Sequence, residues 1–258
     1  MSSARQQATY PDLAGRVAFV TGGSGALGAV TCRSLAKNGV RVAVSGRRQS
    51  ALDRVVRTIA TEGGVAIACP ADCTNGDALE SARERATAEL GPIDILVAFA
   101  GGGGEPFPFT MLTEEKWRAV VDANLTATFL TIRTFSPAML ESKRGAIVTM
   151  ASSAGRLPGL AAVPYAAAKA GIVMLTGHLA REFAANGVRI NCIAPSSIKN
   201  ERMANLPAEK LAEIASSFPL GRIGVPADVA NAALFLASES ASWITGVTLD
   251  IAGGRIIA

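Results

Sequence analysis

The chain has one histidine, His178, in 258 residues. A histidine-rich metal site is therefore excluded. His178 lies nine positions past Lys169, about half a turn out of phase on a helix, so it should face away from that lysine and reads as a packing or interface residue rather than a catalytic base. The four cysteines, Cys32, Cys69, Cys73 and Cys192, form no Cys-x-x-Cys pair and no framework of the secreted type. They read as reduced, mostly buried thiols of a cytoplasmic protein. No apolar run reaches the roughly 18 residues of a membrane span, and residues 1–10 are polar, without the apolar segment of a signal peptide. The net charge is only +4, and the basic residues are scattered apart from Arg47-Arg48, so no nucleic-acid stripe is expected. Aromatics make up 5% of a chain that is 49% apolar. The core must be built from aliphatic side chains, with apolar surface to spare for contacts between subunits.

What is present is an alternation. Short apolar runs at 16–20, 40–44, 65–69, 93–98, 146–151, 188–193 and 247–251 are separated by helical patterns. Strands that are apolar throughout are buried on both faces, as in a parallel sheet. Strand–helix alternation gives a doubly wound α/β fold with right-handed crossovers. The reading is a single domain over residues 13–258 with a seven-stranded parallel sheet flanked by helices. A flexible tail is expected over 1–12 and a mobile helical lid over about 197–218. In such sheets ligands bind beyond the carboxyl ends of the strands. The glycine-rich turn, Arg47, Asp72, Gly101–Gly104 and Ser152 all follow strands and should share one rim.

Three features carry chemistry. Tyr165 and Lys169 sit four residues apart, so a helix stacks them on one face, with only Ala166, Ala167 and Ala168 between. A free phenol, with a pKa of about 10, exchanges protons poorly at neutral pH, and a neighbouring cation is expected to lower it. Ser152, at the end of the fifth apolar run, offers a hydroxyl to a carbonyl oxygen. Gly23-x-Gly25-x-x-Gly28 follows the first strand and opens a helix, where glycines let the backbone approach a pyrophosphate. A nucleophile elbow around Ser24 fails because its last position is Ala26. After the second strand come Ser45 and Gly46 and then Arg47 and Arg48, where an acidic residue would favour NAD. Guanidinium groups suit a 2′-phosphate, so NADP(H) is favoured, with NAD(H) as the alternative.

Assembled, these residues resemble the short-chain dehydrogenase/reductase family over about residues 13–254, with 3-oxoacyl-thioester reductases and broad-range sugar or steroid dehydrogenases as the nearest general likeness. The resemblance rests on Asn124, Ser152, Tyr165 and Lys169, on Thr21-Gly22 and the glycines after them, and on Asp72, Ala100-Gly101, Asn191 with Pro195, and Gly253-Gly254. It implies a Rossmann fold and the interconversion of a ketone and a secondary alcohol. Tyr165 would be the general acid or base, and Lys169 would tune it and hold the nicotinamide ribose. Ser152 would polarise the substrate oxygen, and Asn124 would hold a water in a proton relay. The cofactor would lie along Gly22, Ser24, Gly25, Leu27 and Gly28, meet Arg47 and Arg48, pass Asp72 and Cys73 at the adenine and Ala100 and Gly101 beyond it, and end near Pro195 and Ile198. A homotetramer or homodimer packed through the long helices is implied, with a small-molecule partner. Four positions depart from the family pattern: Ala26, Ala98-Phe99, Ser196 and Asn200. They leave a second reading open, a nucleotide-binding regulatory or scaffold protein that kept the fold without turnover.

Overall fold

The computed structural model describes residues 8–256, apart from the side chains of Arg202 and Ala204. Seven strands run parallel in the order β3-β2-β1-β4-β5-β6-β7. They are β1 (Val17–Thr21), β2 (Arg41–Gly46), β3 (Ala66–Pro70), β4 (Ile95–Ala98), β5 (Gly145–Met150), β6 (Val188–Pro195) and β7 (Thr248–Ile251). The strand order reverses between β1 and β4, which are paired from Ala18↔Ile95 to Thr21↔Ala98. A crevice opens at such a switch point, above the strand ends.

Strand side chains alternate between two cores, as the pleat demands. Ala18, Val20, Val42, Val44, Val97 and Val148 face one layer, which holds helices α1 (Ala26–Lys37), α2 (Gln49–Thr61) and, at the far end of the chain, Pro226–Ala237. Val17, Phe19, Ala43, Leu96, Ile147 and Ile190 face the other, which holds α3 (Gly76–Leu90) and the helix Ala127–Glu141. There Phe19 meets Phe135 with ring centroids 4.3 Å apart.

The helix that starts at Glu114 is capped by the Thr113 hydroxyl, which accepts from the Lys116 amide. The helical path continues past Asn124, but not as one regular helix. Instead α4 (Glu114–Val121) passes through one π turn, Asp122–Thr126, before α5 (Ala127–Glu141) resumes. Such turns insert an extra residue and re-aim the side chains beside them. The tyrosine helix is α6 (Val163–Phe183), with Pro164 in its first turn, where a missing N–H costs nothing. The expected lid contains two short helices, α7 (Glu201–Ala204) and α8 (Ala208–Ser216), and α9 (Pro226–Ala237) follows.

The expected tail needs correcting from Tyr10 onward; residues 1–7 lie outside the described residues. The Tyr10 amide donates to Asn38 Oδ1 at 2.7 Å, Asp12 accepts from the Glu239 amide at 2.8 Å, and Leu13 is fully buried. The apolar Leu13 and the polar anchors beside it hold this segment against the domain.

Among the described residues, no helix is long and apolar enough to cross a membrane, and no group of three or more His, Cys, Asp or Glu is placed to hold a metal ion. All four cysteines are free and buried.

Candidate active site

The turn after β1 is shaped by close backbone contacts. Gly22 adopts φ +64°, and a Cβ there would lie 2.8 Å from the Phe99 carbonyl oxygen. Only glycine fits that conformation at that distance. The turn delivers the chain to Gly25, the N-cap of α1, with no side-chain cap and no acidic residue in the first turn. Gly25 and Ala26 are exposed and Ser24 and Leu27 half-buried, while Gly28 packs beneath them. An uncapped, solvent-facing helix start over a glycine cradle fits the pyrophosphate of a dinucleotide. Ala26 occupies an exposed first helical position, so its methyl group is accommodated.

Beneath the cradle, the Thr21 hydroxyl accepts from the Phe99 and Ala100 amides at 3.1 and 3.2 Å and contacts the Val97 carbonyl oxygen at 3.5 Å. Phe99, at a position where the family pattern carries asparagine, is buried in the core. A threonine hydroxyl and an apolar ring thus hold the central strands.

Arg47 and Arg48 are exposed beyond β2, and no acidic residue ends that strand. Arg48 is the N-cap of α2 without a side-chain bond. Arg47 lies close enough to Asp72 to lower its carboxyl, although the larger cause is Thr74, whose amide and hydroxyl both donate to Asp72 Oδ1 at 2.9 and 2.7 Å. Cys73 is buried, so it can offer a ligand only its backbone. Ile198 likewise sends its side chain into the core, while its backbone bridges to Gly224. Pro195 is buried at the end of β6. Asn200 caps α7 by accepting from the Met203 amide at 3.1 Å, which accounts for an amide at that position. Ser196 donates its amide to the Ile251 carbonyl oxygen at 3.1 Å, which continues the β6–β7 pairing.

At the other end of the crevice three segments converge. Tyr165 lies on the first turn of α6, half-buried, with the Ser152 side chain near enough to its phenol to lower it. Lys169, one turn on, is 3% exposed. Its Nζ donates to the Met150 carbonyl oxygen at 2.9 Å and stands 5.5 Å from the centre of the Tyr165 ring. Asn124, in the π turn, is fully buried. Its Nδ2 donates to the Gly102 and Val120 carbonyl oxygens, both at 2.8 Å, and its Oδ1 accepts from the Gly102 amide at 3.1 Å. Its side chain thus holds Gly102 by both the amide and the carbonyl oxygen. Gly101 has φ +149°, and a Cβ there would lie 2.5 Å from Asn124 Oδ1 and 3.3 Å from Lys169 Nζ. The loop therefore runs directly over the lysine. At its end, the Ala162 amide donates to Gly104 O at 3.3 Å, which joins it to the segment leading into α6.

The electrostatics correct one expectation. Spacing suggested that Lys169 would lower the Tyr165 phenol. Burial instead pushes the phenol up, opposed by the Ser152 hydrogen bond, and burial pulls Lys169 down to about 8. The ammonium is aimed at the Met150 carbonyl oxygen and stands over the ring, so removal from water dominates both groups. At neutral pH the resting pair is a protonated phenol above an ammonium ion.

Arg156 is paired with Asp250. The side chain of Arg202 lies outside the described residues. His178 is exposed on α6, whereas Lys169 on the same helix is buried. Sequence reasoning missed the Met150 carbonyl oxygen and the Thr21 hydroxyl. A backbone acceptor leaves no mark in a sequence, whereas Thr21 stood in a quoted motif without an assigned partner.

The short chain dehydrogenase family model matches residues 16–211. The chain is 37% identical to a 3-oxoacyl-[acyl-carrier-protein] reductase of Synechocystis, over 95% of this chain and 98% of that protein. It is 37% identical to a cis-4-hydroxycyclohexanecarboxylate dehydrogenase of Sinomonas cyclohexanicum, over 93% and 96%. A 3-oxoacyl-[acyl-carrier protein] reductase of Brucella melitensis with bound NAD superposes with a TM-score of 0.88 at 33% identity, covering 96% of this chain and 94% of that one. Sheet order, strand-end cradle and sequence agree that this chain belongs to the short-chain dehydrogenase family and is an oxidoreductase of it.

Proposed function

We propose that the chain interconverts a ketone and a secondary alcohol with NADP(H), using Ser152, Tyr165 and Lys169 to handle the proton. The observation that carries this reading is the convergence of Tyr165 and the Ser152 turn on one buried lysine: Lys169 Nζ stands 5.5 Å from the centre of the Tyr165 ring, and Gly155 of the turn packs on the Lys169 backbone. With the pyrophosphate held in the cradle, the nicotinamide of the cofactor would supply or accept the hydride beside Tyr165. The protein's part is proton transfer and orientation. Ser152 donates to the substrate oxygen, and Tyr165 gives that oxygen its proton during reduction. Lys169 stabilises the phenolate left behind, as a cation in a dry site does more strongly than in water. The Met150 carbonyl oxygen fixes the lysine, and Asn124 fixes Gly102, so the loop over the site keeps its place.

Arg47 and Arg48, exposed just past a strand that ends in no acidic residue, support NADP(H). Phe109, Leu157 and Leu160 are exposed on the loops flanking Tyr165, and they support a ketone carried on an apolar frame. Phe129 and Met174, exposed on α5 and α6, support a dimer or tetramer joined through those helices, and four free buried cysteines support a reducing cytoplasmic setting.

The test is reduction of a panel of cyclic and linear ketones by the purified protein, with NADPH and with NADH. Tyr165→Phe should abolish turnover while leaving NADPH binding intact; unchanged turnover defeats the mechanism. Arg47→Ala should weaken NADPH by about 10-fold or more, the worth of a charge-assisted hydrogen bond, and leave NADH nearly unaffected. Equal loss for both cofactors refutes the role of Arg47.

A further inference from the structure

The Ser152 turn is tied to a strand that neither the motif nor the cofactor cradle includes. Ser152 is the N-cap of a single 3-10 turn, Ser153–Gly155, and Arg156 ends it. Within the turn, Ser152 Oγ accepts from the Ala154 amide at 3.2 Å, Ser152 O accepts from the Gly155 amide at 2.9 Å, and Ser153 O accepts from the Arg156 amide at 3.0 Å. All of these bonds are local. They shape the turn and do nothing to place it relative to Tyr165.

Three longer-range restraints place it. Just before the turn, the Ala151 amide donates to the Ile193 carbonyl oxygen of β6 at 2.8 Å, which fixes its entry and leaves its exit to the other two. Gly155 lies flat on α6, where a Cβ would come within 2.5 Å of the Lys169 carbonyl carbon. Arg156 then reaches β7. Its Nε donates to Asp250 Oδ1 and its Nη2 to Asp250 Oδ2, both at 3.2 Å, across 94 residues of sequence. The two side chains are 24% and 15% exposed, so the pair is sheltered from the screening that makes surface ion pairs weak. Its two-pronged geometry resists rotation as well as separation. Asp250 is itself held by the pairing Ala194↔Asp250, one residue before the Pro195 that ends β6. Beyond Arg156 the chain is exposed at Leu157 and Leu160 until Ala162 joins Gly104, so the ion pair is the last anchor of the serine turn on that side.

We propose that Arg156 and Asp250 are positioning residues for the reaction: their ion pair clamps the serine turn to β7 and holds the Ser152 hydroxyl against the Tyr165 phenol. The inference rests on the proposed proton-handling role of Ser152. Neither residue touches the reacting atoms, so their effect must pass through that hydroxyl.

A double-mutant cycle tests this directly. Wild type, Asp250→Asn, Ser152→Ala and the double variant are compared for kcat and KM in ketone reduction, with NADPH affinity measured separately by fluorescence and folding by thermal melting. Misplacing a reacting group by about 1 Å costs on the order of 100-fold in rate, so Asp250→Asn should lower kcat by about 10- to 100-fold and leave NADPH affinity within about twofold. In the Ser152→Ala background the same substitution should lower kcat by no more than about twofold, because the group it positions is gone. Arg156→Lys, which keeps the charge and loses the fork, should fold and retain an intermediate kcat; it serves as the probe if Asp250→Asn does not fold. Losses that multiply independently in the two backgrounds, or full kcat in both clamp variants, overturn the inference. A wild-type protein that binds NADPH and turns over no ketone or alcohol overturns the reading beneath it, and the inference falls with it.

Discussion

Replacing Lys169 by methionine should stabilise the protein at neutral pH, or leave it unharmed, while removing its activity. Methionine keeps the length of the stem and removes the charge. The lysine falls from 10.5 to about 8 on folding. Each pH unit is worth about 1.4 kcal/mol, so holding the ammonium in this buried position costs roughly 3 kcal/mol. Against this, the substitution leaves the Met150 carbonyl oxygen without its donor, at about 1–3 kcal/mol. The net effect at pH 7 lies between zero and about 2 kcal/mol in favour of the variant, up to about 6 °C in Tm for a domain of this size. The pH dependence is sharper than the absolute value. The folded lysine loses its proton near pH 8 and the unfolded one near 10.5, so the burden is complete below 8 and lifts between those values. Wild type should therefore gain roughly 2–3 kcal/mol relative to Lys169→Met between pH 7 and pH 10. Groups that do not feel Lys169 titrate alike in both proteins and cancel in the difference; Cys192, which the ammonium lowers, is replaced by alanine in both. Urea unfolding of both proteins at the two pH values measures it. A stability difference that does not change between pH 7 and pH 10 would show that the amine is not held as a desolvated ammonium, and would refute the reasoning.

Two further outcomes are expected. The kcat/KM for ketone reduction should be highest near neutrality and fall above about pH 8, where Lys169 loses its proton, and alcohol oxidation should rise with pH as the phenol ionises; a flat reduction profile through pH 9.5 would contradict the lysine's role. Gly155→Ala should lower Tm by several degrees and reduce activity together, since its methyl group would meet the α6 backbone at 2.5–2.6 Å and overpacking costs about 1–3 kcal/mol; an unchanged melt would show that the turn yields.

Much of this architecture was legible because parallel strands announce themselves as short apolar runs. Val17–Thr21 and Ile95–Ala98 are buried at every position, and the helices between them carry their own punctuation, as at Asn75 and Thr113, whose side chains cap α3 and α4. The four-residue step from Tyr165 to Lys169 was legible for the same reason. What was not legible depends on the third dimension. The π turn at Asn124 leaves the apolar pattern on either side intact, so nothing in composition marks it. The lowered pKa expected of Tyr165 failed because spacing gives the phase of a side chain and says nothing about how much water it keeps. The partner of Arg156 left no local signal, because it lies on a strand formed almost a hundred residues later.

The hydroxyl of Thr21 has a consequence of its own. A single oxygen atom receives the amides of Phe99 and Ala100, and Thr21 is the residue from which the phosphate cradle springs, while those amides begin the loop that runs over the lysine. On the proposed reading, the grip on the nucleotide and the ceiling of the reaction chamber hang from one rivet. A tug on either is delivered to the other without any moving part between them, so evolution cannot retune how tightly this enzyme holds its nucleotide without also nudging the place where bonds are made.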